Sequence, residues 1–153
     1  MSIVITNRQR TKKINARLLK QITVGLLAEL GISEAKLGIN LVAAPEMTLV
    51  NETFLKHEGP TDVVTFDYLE KRKAGSGKRK HLHGEIFICV DEAVLQAKKF
   101  RASWQSEIVR YLVHGVLHLL GHDDRRIAAR KKMKREENRL LRELSRRFAL
   151  SKL

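Results

Sequence analysis

One stretch of eleven residues restricts the fold and the chemistry of this chain more than any other: His114-Gly-Val-Leu-His-Leu-Leu-Gly-His-Asp-Asp124. It continues an apolar run with helical spacing, and its first two histidines, His114 and His118, are four residues apart. Four residues are just over one helical turn, so both imidazoles leave the same helix face, about 6 Å apart along the axis. Gly121 suits the left-handed residue that commonly ends a helix. The stretch therefore predicts a helix that presents two stacked histidines and ends soon after them.

Residues with ligand-capable side chains follow this predicted helix. His122, Asp123 and Asp124 come directly after the glycine, and Asp124 lies six residues beyond His118, which leaves room for the chain to turn back. Two histidines and one carboxylate leave a fourth position on a zinc ion open for water, as in catalytic rather than structural sites. The spacing predicts a metal site formed by His114, His118 and a third ligand. Asp124 is the favoured third ligand, with His122 and Asp123 as its competitors.

A peptidase site is a competing interpretation of two histidines at this spacing. Zinc peptidases of the His-Glu-x-x-His type carry their general base directly after the first histidine. That position is Gly115 here, so the carboxylate that would activate water for peptide hydrolysis is absent. The sequence therefore opposes a peptidase. The remaining alternative to a metal site is a pair of core histidines whose ring nitrogens bond to backbone carbonyls.

Charge indicates the class of partner. The chain carries 30 Lys and Arg against 17 Asp and Glu, a formal net charge of +13. A protein this basic attracts polyanions, of which nucleic acid is the first candidate and an anionic membrane the second. No apolar run is long enough to cross a bilayer, and the amino-terminal apolar stretch is too short for a signal peptide. With Cys89 as the single cysteine, these features favour a cytoplasmic protein without a membrane partner.

Two segments concentrate the positive charge: a glycine-containing loop predicted over residues 70–82 and the start of a final helix predicted over residues 126–150. Both are expected to contact phosphates. The candidate nucleic-acid-binding residues of the loop are Lys71, Arg72, Lys73, Lys78, Arg79 and Lys80. Because aromatic residues make up only 5% of the chain, no extended platform for stacking bases is expected. Nucleic-acid binding is therefore expected to be mainly electrostatic.

Periodicity predicts a single domain over residues 1–153 with an α+β fold. Alternating or β-branched residues predict four strands, at residues 2–6, 36–43, 63–69 and 85–90. Apolar residues three and four apart predict four helices, at residues 14–30, 91–100, 103–120 and 126–150. A short helix opened by proline is predicted over residues 45–55, and Asp91 is expected to cap the helix that follows it.

This order of elements predicts one small mixed β-sheet packed with several α-helices. The last two strands are expected to pair antiparallel, because they flank the basic loop. The metal site is expected on the histidine-bearing helix and the turn that follows it.

These residues resemble the YbeY-type endoribonucleases, a bacterial family of small metalloproteins linked to ribosomal RNA maturation. The eleven-residue stretch is similar to the signature of that family. Two upstream blocks are similar to family blocks in the same order, namely Asn51-Glu-Thr-Phe54 with Pro60-Thr-Asp-Val-Val-Thr-Phe66, and Gly84-Glu-Ile-Phe-Ile-Cys89. Together the three blocks span about residues 47–124, which is most of the chain.

Two positions depart from the family pattern. Asp124 stands where the family usually has a third histidine, and aspartate is a competent zinc ligand. Leu55 stands where the family usually has an arginine thought to act in catalysis, and Lys56 is the neighbouring candidate for that positive charge, although lysine lacks the bidentate geometry of arginine. Asp62 and Glu85 are expected either near the metal, as acid or base, or in a turn.

The resemblance implies a single-strand-specific metallo-endoribonuclease that matures the 3′ end of small-subunit ribosomal RNA and takes part in ribosome quality control. It implies one Zn²⁺ held by His114, His118 and Asp124, with His114 and Lys56 as the catalytic candidates. The implied partners are ribosomal RNA and the small ribosomal subunit. The alternative is a non-catalytic ribosome- or RNA-binding protein with a structural or vestigial metal site, and Leu55 is the residue that favours it.

Overall fold

A computed structural model describes residues 1–55, 61–69 and 80–153. Its strands are β1 Ser2–Asn7, β2 Glu34–Val42, β3 Val63–Asp67 and β4 His81–Cys89. Its α-helices are α1 Ala16–Glu29, α2 Ala44–Val50, α3 Val90–Phe100, α4 Trp104–Leu119 and α5 Ile127–Arg147. A π-helical turn, Asn51–Leu55, follows α2, and a 3-10 turn, Leu150–Lys152, follows α5. Within the described ranges, no helix has the length and apolarity needed to cross a membrane.

The four strands form one mixed sheet in the order β1-β2-β4-β3. The β1–β2 and β2–β4 pairs are parallel, and β3 runs antiparallel to β4 at one edge. The predicted α+β fold with a small mixed sheet and the antiparallel pairing of the last two strands are confirmed. β4 begins four residues earlier than predicted because His81 and the residues after it pair with the start of β2, from Glu34 onwards.

The main core lies between one face of the sheet and the helices α1 and α4, while α5 packs on α4 and α1. Its fully buried side chains include Leu19, Ile22, Leu26, Leu27, Ile39, Leu41, Ile86, Ile88, Ile108 and Leu112. A smaller cluster on the other face of the sheet holds α2 in place, with Val42, Met47, Val50, Val64 and Cys89 as its buried members. The apolar periodicity of the sequence therefore marks the sheet-facing sides of α1 and α4.

Helix α4 ends as the sequence predicts, at a glycine with a left-handed backbone. Gly121 has φ of 96°, its N–H donates to the carbonyl of His118 across 3.0 Å, and the N–H of His122 donates to the carbonyl of Leu117 across 3.0 Å. These two hydrogen bonds define a Schellman motif, which satisfies the last carbonyls of a helix and reverses the chain. The reversal carries the residues after Gly121 back towards the histidines.

Asp91 does not cap α3, so that prediction was wrong. The helix begins at Val90, which places Asp91 inside its first turn. The carboxylate instead accepts a 2.6 Å hydrogen bond from the N–H of Ala44, the first residue of α2. Ala43, the residue before α2, has no side chain that could cap it. The N–H of Ala44, 47 residues away in sequence, therefore binds the carboxylate of Asp91 in place of the predicted local N–H at the start of α3.

Cys89 is fully buried at the end of β4. Burial, opposed in part by backbone hydrogen bonds, raises the pKa of its thiol to about 11. The thiol is protonated below that pH, and the thiolate is the nucleophilic form. We expect iodoacetamide to leave the native protein unmodified over hours at about pH 8, and to alkylate the chain rapidly in denaturant. Mass spectrometry distinguishes the two products, and fast alkylation of the native protein would contradict the burial.

Candidate metal centre

The side chains of His114, His118 and Asp124 converge on one point beside the carboxyl end of α4. The two Nε2 atoms lie 3.0 Å apart. Asp124 Oδ2 lies 3.5 Å from the Nε2 of His118 and 3.9 Å from that of His114. Three ligands of a tetrahedral zinc ion lie about 3.4 Å from one another, so shifts of roughly half an ångström give a coordination triangle. The donor set therefore fits one metal ion.

The other ring nitrogens of both histidines have hydrogen-bond partners. Nδ1 of His118 lies 3.2 Å from the backbone carbonyl oxygen of His122, and Nδ1 of His114 lies 2.9 Å from Oε2 of Glu137. A carbonyl oxygen and a carboxylate accept hydrogen bonds, so each Nδ1 carries a proton. In a neutral ring with this tautomer, Nε2 has a lone pair for a metal. Metal-binding histidines in proteins are commonly oriented in this way.

Glu137 of α5 is a buried carboxylate behind His114, with 4% of its surface exposed. Its Oε1 accepts hydrogen bonds from Arg110 Nη1 at 2.9 Å and from Lys134 Nζ at 3.3 Å. Burial by itself would raise the pKa of Glu137, but the hydrogen bonds from His114 and Arg110 outweigh it and lower the pKa to about 2. For His114, burial by itself would lower the pKa. The hydrogen bond and negative charge of Glu137 outweigh the effect of burial, so the pKa of His114 is raised.

Sequence reasoning did not identify Glu137 as a site residue, because it lies in a helix that is rich in charged residues. The sequence signal that could have identified Glu137 is its position among the apolar residues of α5 that recur every three or four positions. The buried residues of α5 are Met133, Glu137, Leu140 and Leu144, which are spaced three and four apart. A carboxylate in an apolar row is uncommon unless it is paired, since burying an isolated charge is costly. Such a residue is a candidate for a partner on a neighbouring helix.

The two competitors of Asp124 have other contacts. Asp123 Oδ1 accepts a hydrogen bond from the N–H of Arg125 at 2.9 Å, which stabilises the turn. His122 contributes its backbone carbonyl to His118. The Schellman turn at Gly121 therefore orders this segment so that Asp124 is the side chain that reaches the histidine pair.

Gly115 lies on the side of α4 that faces the sheet. A Cβ atom at this position would lie 2.9 Å from Cγ2 of Ile86 and 3.4 Å from Cγ2 of Thr65. The glycine therefore allows α4 to pack closely on β3 and β4, and a glutamate there would have to displace the side chain of Ile86. The structure gives a packing reason for the absence of the peptidase base.

An open cleft of about 600 Å³ adjoins the three converging side chains. His114 and Asp124 line it together with Asp62, Phe100 and Arg130. Asp62 therefore lies near the candidate metal centre. This is the first of its two predicted positions, near the metal or in a turn. The cleft thus brings together residues of α4, α5, the end of α3 and the segment before β3.

Glu85 lies elsewhere. Its side chain leaves β4 on the opposite face from Ile86, the residue that contacts α4, because side chains alternate along a strand. Its carboxylate accepts a 2.6 Å hydrogen bond from the hydroxyl of Tyr68 and lies over Gly38 of β2. Glu85 therefore stabilises the second face of the sheet and is not placed for acid or base chemistry at the metal.

Several predicted site residues fall outside the described residues, namely Lys56, Lys71, Arg72, Lys73, Lys78 and Arg79. Lys80 is described and exposed, and its carbonyl accepts hydrogen bonds from Ser33 and Glu34 at 3.1 and 3.2 Å. Leu55 ends the π-helical turn with 51% of its surface exposed.

Comparison with known proteins gives the family of this chain. The family model described as Endoribonuclease YbeY matches residues 4–145. Proteins named Endoribonuclease YbeY from Myxococcus xanthus, Salinibacter ruber and Chlorobium phaeovibrioides are 38%, 30% and 32% identical over 82%, 86% and 93% of this chain. The matches cover 42%, 84% and 90% of those proteins, respectively, so the chain spans less than half of the first.

A solved structure supports the fold. The solution structure of TM1509 from Thermotoga maritima matches with a TM-score of 0.65 and 23% identity, over 93% of this chain and 88% of that one. The family match extends over almost the whole chain and includes each of the residues that converge at the candidate metal centre. The chain therefore belongs to the endoribonuclease YbeY family.

Proposed function

We propose that this protein is a zinc-dependent endoribonuclease that cleaves single-stranded segments of ribosomal RNA. The observation that carries the proposal is the convergence of His114, His118 and Asp124 within 4.8 Å, beside a cleft that basic residues also line. Membership of the endoribonuclease YbeY family supports RNA as the substrate. The donor set, with two imidazoles and one carboxylate, supports a single catalytic zinc ion rather than a structural one.

Each residue of the candidate metal centre would have a distinct role. A bound Zn²⁺ would supply a water molecule of lowered pKa and polarise a phosphoryl oxygen. His114 and His118 would hold the ion through Nε2, and Asp124 would complete the protein ligands. Glu137 keeps the ring of His114 in the required orientation through Nδ1. Lys56 is our candidate for stabilising the charge that develops on the phosphate.

Basic side chains near the cleft support a polyanionic substrate. Exposed cations occupy the start of α5 and the segment before it, namely Arg125, Arg126, Arg130, Lys131, Lys132, Lys134 and Arg135. The first turn of α5 contains no acidic residue, and the amino end of a helix itself carries a partial positive charge. This end of α5 therefore favours phosphate groups. The basic segment over residues 71–80 is our second candidate for RNA contacts.

Family membership supports a finer proposal about the substrate. We assign the protein to the maturation of the 3′ end of small-subunit ribosomal RNA and to ribosome quality control in the cytoplasm, with the small ribosomal subunit as partner. A second function has one observation in its favour. Leu55 stands at the position where the family usually has an arginine, which favours an RNA-binding protein that has lost cleavage and keeps its metal site for structure.

Metal removal tests the proposal directly. Purified protein is incubated with single-stranded RNA, duplex RNA and a peptide library, before and after treatment with a chelator, and its metal content is measured by mass spectrometry. We expect about one zinc per chain and cleavage of the single strand that stops on chelation and returns with Zn²⁺. Binding of RNA without cleavage would support the second function instead. Peptide hydrolysis would contradict both.

A further inference from the structure

Phe100 is an exposed aromatic residue on the wall of the cleft. It is the last residue of α3, and 65% of its surface is exposed. The buried row of α3 consists of Val90, Ala93 and Ala97, and Phe100 continues that row by another three residues. The ring therefore extends past the end of the core, where the cleft rather than the sheet lies beside it. The position of this ring is not explained by core packing.

One cation lies over this ring, and a second follows it in sequence. Nζ of Lys99 lies 5.7 Å from the centroid of the Phe100 ring. Arg101 ends α3 in the left-handed conformation, with φ of 53°, and its N–H donates to Ala97. Lys99 and Arg101 are both exposed. The end of α3 therefore combines one aromatic face with cations that attract phosphate groups.

Arg130 of α5 also lines the cleft. Its side chain is exposed, and no acidic side chain among residues 1–55, 61–69 and 80–153 forms an ion pair with it. Arg110 and Lys134, which line the same cleft, bond to Glu137 instead. Arg130 is therefore available for an anionic ligand in the cleft that Phe100 lines.

The chemistry and size of this cleft fit one nucleotide of a single strand. Its volume of about 600 Å³ lies within the usual range of small-molecule sites, roughly 300–1,000 Å³. Bases of single strands stack on exposed aromatic rings, while a base within a duplex is stacked on both sides and unavailable. We propose that Phe100 stacks on an unpaired base of RNA bound across the metal centre, with Arg130 contacting a phosphate. This inference deepens the proposed function, on which it rests, by naming the contact that selects single strands.

Equilibrium binding tests the stacking contact without relying on cleavage. The probe is a fluorescein-labelled single strand with 2′-O-methyl phosphorothioate linkages that resist hydrolysis, measured by anisotropy with the metal-loaded protein. A duplex of the same length and chemistry is the second probe. The variants are Phe100→Ala, Phe100→Trp and the matched control Leu95→Ala, since Leu95 lies on the same helix, is 58% exposed and does not line the cleft.

We expect Phe100→Ala to weaken binding of the single strand by about fivefold to a hundredfold, the usual effect of removing one base-stacking ring. Duplex binding should change by less than about twofold, because phosphate contacts dominate there. Leu95→Ala should bind like the wild type. Phe100→Trp should bind the single strand about as tightly as the wild type, because it keeps an aromatic ring at this position. The fluorescence of the added tryptophan should be quenched when the strand binds.

Three results would overturn the inference: unchanged affinity of Phe100→Ala for the single strand, an equal loss for the duplex, or no quenching in Phe100→Trp. A different result would contradict the proposed function without contradicting the stacking contact. If the wild type binds the strand through Phe100 but cleaves no RNA, the stacking contact stands and the nuclease activity does not.

Discussion

His118→Ala is expected to remove the metal and to reduce RNA cleavage by about a thousandfold or more. The substitution leaves two of the three converging ligand atoms, His114 Nε2 and Asp124 Oδ2, which lie 3.9 Å apart. A catalytic metal contributes several kcal/mol to transition-state stabilisation, and each 1.4 kcal/mol corresponds to about tenfold in rate. Single-turnover cleavage of a single-stranded RNA, together with the zinc content of the purified variant, measures both losses.

His81→Ala is the matched control for this substitution. His81 is an exposed histidine at the start of β4, pairs with Glu34 at 3.0 Å and does not line the cleft. We expect it to retain zinc and activity. Thermal unfolding of the metal-free proteins should give similar transitions for wild type and both variants, because His118 is only half-buried. A His118→Ala protein that keeps one zinc per chain and cleaves RNA normally would show that these residues do not form the metal centre.

Glu137→Gln is expected to weaken zinc binding by about tenfold to a hundredfold while leaving all three ligands in place. The glutamine retains the shape of the side chain but loses the negative charge that holds the Nδ1–H of His114 at 2.9 Å. Residues that orient a metal-binding histidine typically have effects of this size. Competition with a chromogenic chelator measures the affinity. The variant should also unfold at a lower temperature, because Arg110 loses the nearer of its two buried carboxylate partners, Glu137 at 2.9 Å and Glu107 at 3.8 Å.

Glu136→Gln, the adjacent position on α5, is the control. Glu136 bonds to Arg139 on the helix surface and has no contact with His114. We expect this variant to bind zinc like the wild type. If Glu137→Gln bound zinc as tightly as Glu136→Gln, the contact between Glu137 and His114 would be a structural ion pair without influence on the metal centre.

Much of the fold could be predicted from sequence because its elements follow local rules. Helix α4 was predicted over residues 103–120 and spans Trp104–Leu119. The hydroxyl of Ser103 accepts a hydrogen bond from the N–H of Ser106 at its start, and the left-handed Gly121 follows its end, as predicted. Strand boundaries were less accurate, since β4 depends on its partner β2 as well as on its own residues. The predicted cap at Asp91 failed because an aspartate can satisfy any helix end that the fold brings to it.

The sequence by itself determined the pair of histidines on one face of α4 and the turn that follows, because helical period and a left-handed glycine are properties of neighbouring residues. Only the tertiary structure decided that Asp124, among three candidates, reaches the pair. It also decided that Glu137 orients His114, since those two residues are 23 positions apart and meet only where α5 packs on α4. The same packing decides which residues share the cleft, because the surroundings of a side chain depend on elements that are distant in sequence.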